Sequence, residues 1–233
     1  MKICVCTIGR LENDYIEEFI EHYRSLGVDN IFLYSHFNPE NFRDVIKDEN
    51  FVKITDVTYP CTEAVYRVYH DCYTSTDYDW YIFEDPDEYL NVPNNDIKSY
   101  LSNITGDCIC VNWRNYDDND LIYKDSRPLN ERFTREIDVD STTVKSIVRG
   151  GLDIKFTNPH IPEGNIVFVD GDNKVLESHT RDKIPYVTYN NAYIKHFRDK
   201  TIEEYCTNKI PKLKDFGYNL VNFNLNHFFK YNK

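Results

Sequence analysis

The sequence predicts an α/β fold, one Rossmann-like mixed sheet with helices on both faces, and three observations carry that prediction. Short apolar runs of strand length alternate with amphipathic stretches of helix length through the first 113 residues. Two of those runs, 79–83 and 109–113, are nearly continuous in apolar side chains, as strands covered on both faces are. The chain of 233 residues is 41% hydrophobic and 28% charged, an ordinary globular balance that buries about 70–75% of the unfolded surface without disulfide or metal staples.

Residues 2–8 are a buried-strand run, and 9–13 supply the turn and capping residues that follow it. A helix comes next, with an apolar stripe of Ile16, Phe19, Ile20, Tyr23 and Leu26 at 3–4 spacing. Glu17 and Glu18 favour the positive end of its dipole, and Gly27 is placed to cap it. Residues 28–34 read as a second strand, 39–48 as a second helix, 51–57 as a third strand and 62–73 as a third helix. After the two apolar strands, 143–149 and 166–169 are strand-like, and Asp170-Gly-Asp-Asn173 is a hairpin signal. Thr201 is positioned to cap a helix running through Glu203, Glu204 and Tyr205 towards Pro211. No repeat or linker interrupts the chain, so a single domain over 1–233 is expected.

The net charge of -12 repels polyanions, so nucleic acid is not an expected partner. The seven cysteines are an odd number, and Cys4/Cys6 and Cys108/Cys110 are C-x-C pairs inside apolar runs, where a two-residue period puts both thiols on one sheet face. They read as buried small hydrophobes in a reducing compartment. No apolar run approaches the roughly 18–20 residues of a membrane span. The first residues are too short and wrongly flanked for a secretory signal, so a cytoplasmic location is expected. The tail, 216–233, alternates aromatics with Asn and ends in Lys, which allows peripheral contact with a membrane.

The most informative segment is Trp80-Tyr-Ile-Phe-Glu-Asp85-Pro-Asp87-Glu88. Pro86 fixes its own φ and pushes Asp85 towards an extended conformation, so the carboxylates of Asp85 and Asp87 should project to one side. Such neighbours repel unless a cation lies between them, and oxygen-only ligands select Mg²⁺ or Mn²⁺ over zinc. A strand that turns abruptly acidic places that ion at the carboxyl edge of the sheet, where open α/β sheets bind ligands. Removing one of two repelling carboxylates is expected to leave stability unchanged or higher.

The stretch from Thr7 to Tyr34, with Glu12, Tyr15, Glu18, Phe19 and the Gly27-Val28-Asp29 turn, resembles the opening of the family-92 and related family-2 glycosyltransferases. Asp85-Pro-Asp87-Glu88-Tyr89 is similar to their D-x-D-E-F element, with Tyr for Phe. Trp113-Arg-Asn-Tyr116, Lys145-Ser-Ile-Val-Arg149 and His196-Phe197 followed by Lys200-Thr201-x-Glu203-Glu204 resemble three further elements in the same order. Leu11 stands where the family has Asn, His22 and Tyr23 are exchanged, and Asp117-Asp-Asn replaces a Gly/Ser-rich loop.

The resemblance implies a GT-A fold, a UDP-linked or other nucleotide-diphosphate sugar donor, and Mn²⁺ or Mg²⁺ on the D-x-D. It implies transfer, taken as inverting, to a hydroxyl of a glycan or lipid-linked glycan. Residues 1–113 would bind the donor, 114–215 the acceptor, and 216–233 would be a tail. Thr7, Arg10 and Glu12 are expected at the nucleotide, with Tyr34 stacking on the base. Lys145, Arg149, Lys195 and Lys200 are candidate cations for the diphosphate, and His196 a third metal ligand. Asp117, Asp118 and Glu88 are candidates for the base that takes the acceptor proton. Two other classes compete. A nucleotidyltransferase would carry a Gly-rich phosphate loop, for which Gly9 alone is poor support. A carbohydrate- or Ca²⁺-binding module would need more oxygen ligands than Asp170-Gly-Asp-Asn173 supplies.

Overall fold

The computed structural model describes residues 1–137, 140–221 and 223–232. In chain order the main elements are β1 (Ile3–Gly9), α1 (Ile16–Leu26), β2 (Asn30–His36), β3 (Val52–Val57), α2 (Ala64–Ser75), β4 (Trp80–Phe83), β5 (Glu88–Asn91), α3 (Ile97–Ser102), β6 (Cys108–Asn115), α4 (Leu129–Arg132), β7 (Val144–Arg149), β8 (Phe168–Asp170), β9 (Tyr193–His196), α5 (Ile202–Glu204), α6 (Ile210–Asp215) and α7 (Leu225–Tyr231). The sheet order is β3-β2-β1-β4-β7-β6-β9-β5, with β8 also paired to β6. This is the Rossmann-like mixed sheet with helices on both faces that the alternation predicted.

Alternation along the strands divides the core in two. Ile3, Val5, Ile31, Leu33, Ile82 and Ile109 pack with α1 and α3 on one face. Cys4, Cys6, Tyr81, Phe83, Cys108 and Cys110 pack with α2 on the other. Both C-x-C pairs therefore do share a face, and all four thiols are fully buried. Gly27, at φ 91°, ends α1 by donating its N–H to the carbonyls of Arg24 and Tyr23, a left-handed cap that a side chain resists.

The expected helix over 39–48 is only a single 3₁₀ turn, Phe42–Asp44. Asn41 caps it by accepting from the Arg43 N–H, and Asp48 instead accepts from the N–H groups of Asn50 and Phe51 to start the next turn. That turn and the residues after it bury Phe42 and Ile46 and half-bury Val45 without the length a stable helix needs. The second strand starts and ends two residues later than 28–34, which matters for the site. The hairpin at Asp170 is present, its Oδ1 accepting from the N–H groups of Asp172 and Lys174. The tail folds back: Phe228 is fully buried, with its ring 5.0 Å from that of Tyr205. Lys233, with which the tail ends, lies outside the described residues. Among the described residues no helix is long and apolar enough to cross a membrane.

Candidate active site

Strand direction decides which side chains meet. β1, β2, β3 and β4 run parallel, and the two antiparallel steps from β4 through β7 bring β6 back into the same direction. Their carboxyl ends, together with the first residues of β7, share one edge. A cleft of about 270 Å³ opens there, lined by the loop after β1, the end of β2, Asp85 to Asp87, and the segment from Arg198 to Tyr218.

Asp85 and Asp87 both line this cleft, as the acidic strand end predicted. Neither is a bare carboxylate. Lys145, buried at the start of β7, lies 2.9 Å from Asp85 and 3.2 Å from Glu88. Lys200 lies 3.5 Å from Asp87 and 4.0 Å from Glu12. Burial alone would raise the Asp87 pKa, but Lys200 and the neighbouring cations outweigh it and hold the carboxyl well below its ordinary range. Burial would discharge Lys145 and Lys200, yet Asp85 and Glu88 at one and Glu12 and Asp87 at the other keep both ammonium groups charged.

Four cations of the cleft come from the C-terminal part of the chain. Arg198, Lys200, Lys209 and Lys212 all line the cleft. Lys212 pairs with Glu12, Asp215 with Arg10, and Lys209 with Asp199 at 3.2 Å. A π-turn over Tyr205–Lys209 joins α5 to α6, just ahead of Pro211, which has no N–H to continue an α-ladder. Thr201 caps α5 as expected, in a capping box with Glu204, and Glu204 also takes a bidentate contact from buried Arg132. Leu11, Phe37 and Lys200 have φ of 56°, 46° and 58°, a left-handed conformation that side chains resist. Leu11 follows Arg10 and Phe37 follows His36, so each of these strained residues borders or lines the cleft.

Beneath the cleft Glu84 and Glu88 are both fully buried. Glu88 accepts from the Asp85 N–H, while both Glu84 oxygens and Glu88 Oε1 lack a donor. A proton held by Glu84 and donated to Glu88 Oε1 would give two of these three oxygens a partner. Burial pushes Glu84 well up and Glu88 up to about 7, the second opposed by Lys145. The folded protein therefore retains protons that the unfolded chain releases above its ordinary value of 4.5, so this pair favours folding at low pH and loses stability as pH rises towards 7. We expect the thermal midpoint to fall across that window, by about 1–3 kcal/mol of stability. Glu84→Gln should flatten the profile, and an unchanged profile in that variant would show that the pair does not share a proton.

Several expected site residues lie elsewhere. Thr7 is fully buried within β1, and Tyr34 packs in the core beside Cys6 and Cys72, so it cannot stack on a base. Because β2 runs on to His36, it is His36 that reaches the cleft; its Nε2 meets the Tyr59 carbonyl at 2.8 Å, which leaves Nδ1 as an acceptor without a partner. Arg149 ends β7 at the opposite edge, over the Trp80 ring and bonded to the carbonyls of Ile104 and Gly106. Asp117 and Asp118 are closed off by Arg135 and by N–H donors from Asn119 and Asp120, away from the cleft. Lys195 bonds Asn130. His196 packs on Trp113 with 4.2 Å between rings, and its Nδ1 meets Asn115 at 2.9 Å. Its charge interaction with Asp87 is felt, but burial lowers its pKa to about 3. Among the described residues no three His, Cys, Asp or Glu side chains form a group that could hold a metal ion, so Asp85, Asp87 and His196 do not assemble as one.

No family model matches the chain, and no curated protein is similar to it in sequence. Solved structures do resemble it in chain path. A crystal structure of S. aureus TarS residues 1–349 is 12% identical over 64% of this chain and 47% of that one, with a TM-score of 0.44. HddC from Yersinia pseudotuberculosis, complexed with GMP-PN, is 15% identical over 84% of this chain and 93% of that one, with a TM-score of 0.45. The chain spans about half the length of the first, and 24% of a longer TarS structure. Neither likeness assigns a reaction.

Proposed function

We propose that the chain is a glycosyltransferase that takes a sugar from a nucleotide diphosphate, uridine-linked by the family resemblance, to a hydroxyl of a glycan or lipid-linked glycan. One observation carries the reading. The acidic pair Asp85 and Asp87 stands at the carboxyl end of β4, and Arg198, Lys200, Lys209 and Lys212 line the same cleft, Lys200 at 3.5 Å from Asp87. That is a site with carboxylates that suit a divalent cation beside ammonium and guanidinium groups that suit a diphosphate. Charge builds on the diphosphate as the glycosidic bond breaks, and ammonium and guanidinium groups already fixed there stabilise it without reorganising.

Two carboxylates fit Mg²⁺ or Mn²⁺ when phosphate oxygens and water complete the shell, and they do not amount to an all-protein cage. Asp85 and Asp87 would hold the ion, which supplies Lewis-acid neutralisation of the leaving group. In the free protein Lys145 and Lys200 already meet those carboxylates, so the ion is expected to arrive with the nucleotide. The donor half would be 1–113 and the acceptor half 114–215, with the qualification that Lys145 and the cations of 198–212 also serve the donor.

Calorimetry tests this directly. UDP with Mn²⁺ should bind at least about tenfold more tightly than UDP with excess chelator, and Mn²⁺ alone should bind weakly. Equal UDP affinity with and without chelator would remove the metal from the reading. No heat with millimolar UDP in either case would remove the uridine-linked donor.

A further inference from the structure

The cleft changes character along its length. At the end of β4 it is ionic, with Asp85, Asp87, Lys200 and Lys209, and towards β2 it is apolar, with Leu213, Phe216 and Tyr218 beside Ile8 and Gly9. β1 lies between β2 and β4, so the two ends stand two strand spacings, about 10 Å, apart. α6 crosses the gap. Lys212 is fastened to Glu12 and Asp215 to Arg10, so the next residue, Phe216, comes to rest beside His36 with 6.0 Å between their rings. Gly217, at φ 75°, then turns the chain back, and Tyr218 returns to the cleft by donating its N–H to the Leu213 carbonyl at 3.0 Å. Phe216 is half-buried and Tyr218 is 54% exposed, and the one ring contact of Phe216 among the described residues is that with His36.

An aromatic corner set apart from fixed ammonium and guanidinium groups in one cleft matches a nucleoside diphosphate, whose planar base and charged tail are separated by a ribose. Every base has a π-face, and stacking on an aromatic side chain tolerates any of them. We infer that Phe216 is the platform on which the nucleobase of the donor stacks, with Leu213 and Tyr218 closing the corner around it. The inference rests on the reading of the cleft as a nucleotide-diphosphate site, and it supplies the base contact that Tyr34, packed in the core, does not. An apolar group of an acceptor would fill the same corner but has no use for the cations beside it, whereas a base carried on a diphosphate satisfies both ends with one molecule. The segment that brings Arg198, Lys200, Lys209 and Lys212 to the phosphates therefore also brings the surface that holds the base.

Calorimetry of the full chain in Mg²⁺, with UDP, GDP and inorganic pyrophosphate as probes, tests the inference. Phe216→Ala should weaken whichever nucleotide the parent binds by about tenfold or more and leave pyrophosphate affinity within about twofold. Phe216→Trp keeps a π-face, so it should stay within about twofold of the parent for both kinds of probe. Parental nucleotide affinity in Phe216→Ala would overturn the inference. So would an equal loss for nucleotide and pyrophosphate, since Phe216 would then only hold the segment that carries the lysines. Heat with GDP and none with UDP would end the uridine-linked reading, and the platform would be decided on GDP. A parent that binds pyrophosphate but neither nucleotide, or no probe at all, would overturn the platform, and the first of these would leave the phosphate cations standing.

Discussion

Asp85→Asn and Asp87→Asn are each expected to reduce turnover about 10²–10³-fold, because each removes a carboxylate that would hold the cation neutralising the leaving diphosphate. Their effect on folding differs from what two adjacent carboxylates suggest. The sequence alone predicts relief of repulsion and unchanged or higher stability. In the structure Asp85 balances buried Lys145 and Asp87 balances buried Lys200, so each substitution leaves an ammonium group short of a partner. Glu88 stays beside Lys145 and Glu12 stays near Lys200, which limits the loss to about 1–2 kcal/mol. Steady-state assays paired with thermal unfolding separate the two effects. Near-parental kcat in either variant would remove that carboxylate from the chemistry, and a raised midpoint would show that the lysine pairs do not operate in solution.

The largest effect on stability is expected at Arg132. Its guanidinium is 1% exposed and holds the Glu204 carboxylate at 3.1 Å, and Glu204 in turn accepts from Tyr15 and from both the N–H and hydroxyl of Thr201. Arg132→Ala leaves a buried carboxylate without its counter-charge and should cost about 3–5 kcal/mol. For a chain of this size that lowers the midpoint by about 10 °C. Arg132→Met combined with Glu204→Gln replaces the ion pair with neutral groups of similar volume and should recover most of the loss. A single Arg132→Ala variant as stable as the parent would show that the pair does not hold the C-terminal segment in place.

The sheet and the acidic end of β4 were legible because both are local: apolar runs of strand length, then an abrupt switch to Asp85-Pro-Asp87. Lys145 and Lys200 were found only through motif resemblance, since nothing in their immediate surroundings says they are buried. Arg149 was misplaced for a physical reason. K-S-I-V-R does not reveal strand direction, and because β7 runs antiparallel to β4 only its first residues face the ligand edge. Tyr34 was misjudged as the end of the second strand, whereas β2 continues through Ser35 and His36 and leaves Tyr34 within the core. Lys209 and Lys212 escaped notice because lysines at 3–4 spacing ahead of a tail look like a solvated helix face. Their spacing with Phe216 is the signal that could have found them.

The cleft joins residues far apart in the chain: Arg10 meets Asp215 and Glu12 meets Lys212, separations of 205 and 200 positions. During synthesis the sheet strands β1 to β4 can pair long before those partners leave the ribosome. The acidic strand end therefore exists first, with Arg10, facing open water, and the last part of the chain supplies Arg198, Lys200, Lys209 and Lys212. A nascent or truncated chain with a folded sheet has no competent cleft, so such fragments would not compete with finished molecules for nucleotide. The same long loop closure makes this corner the slowest part of the molecule to form and the first expected to open, ahead of the sheet it is fastened to.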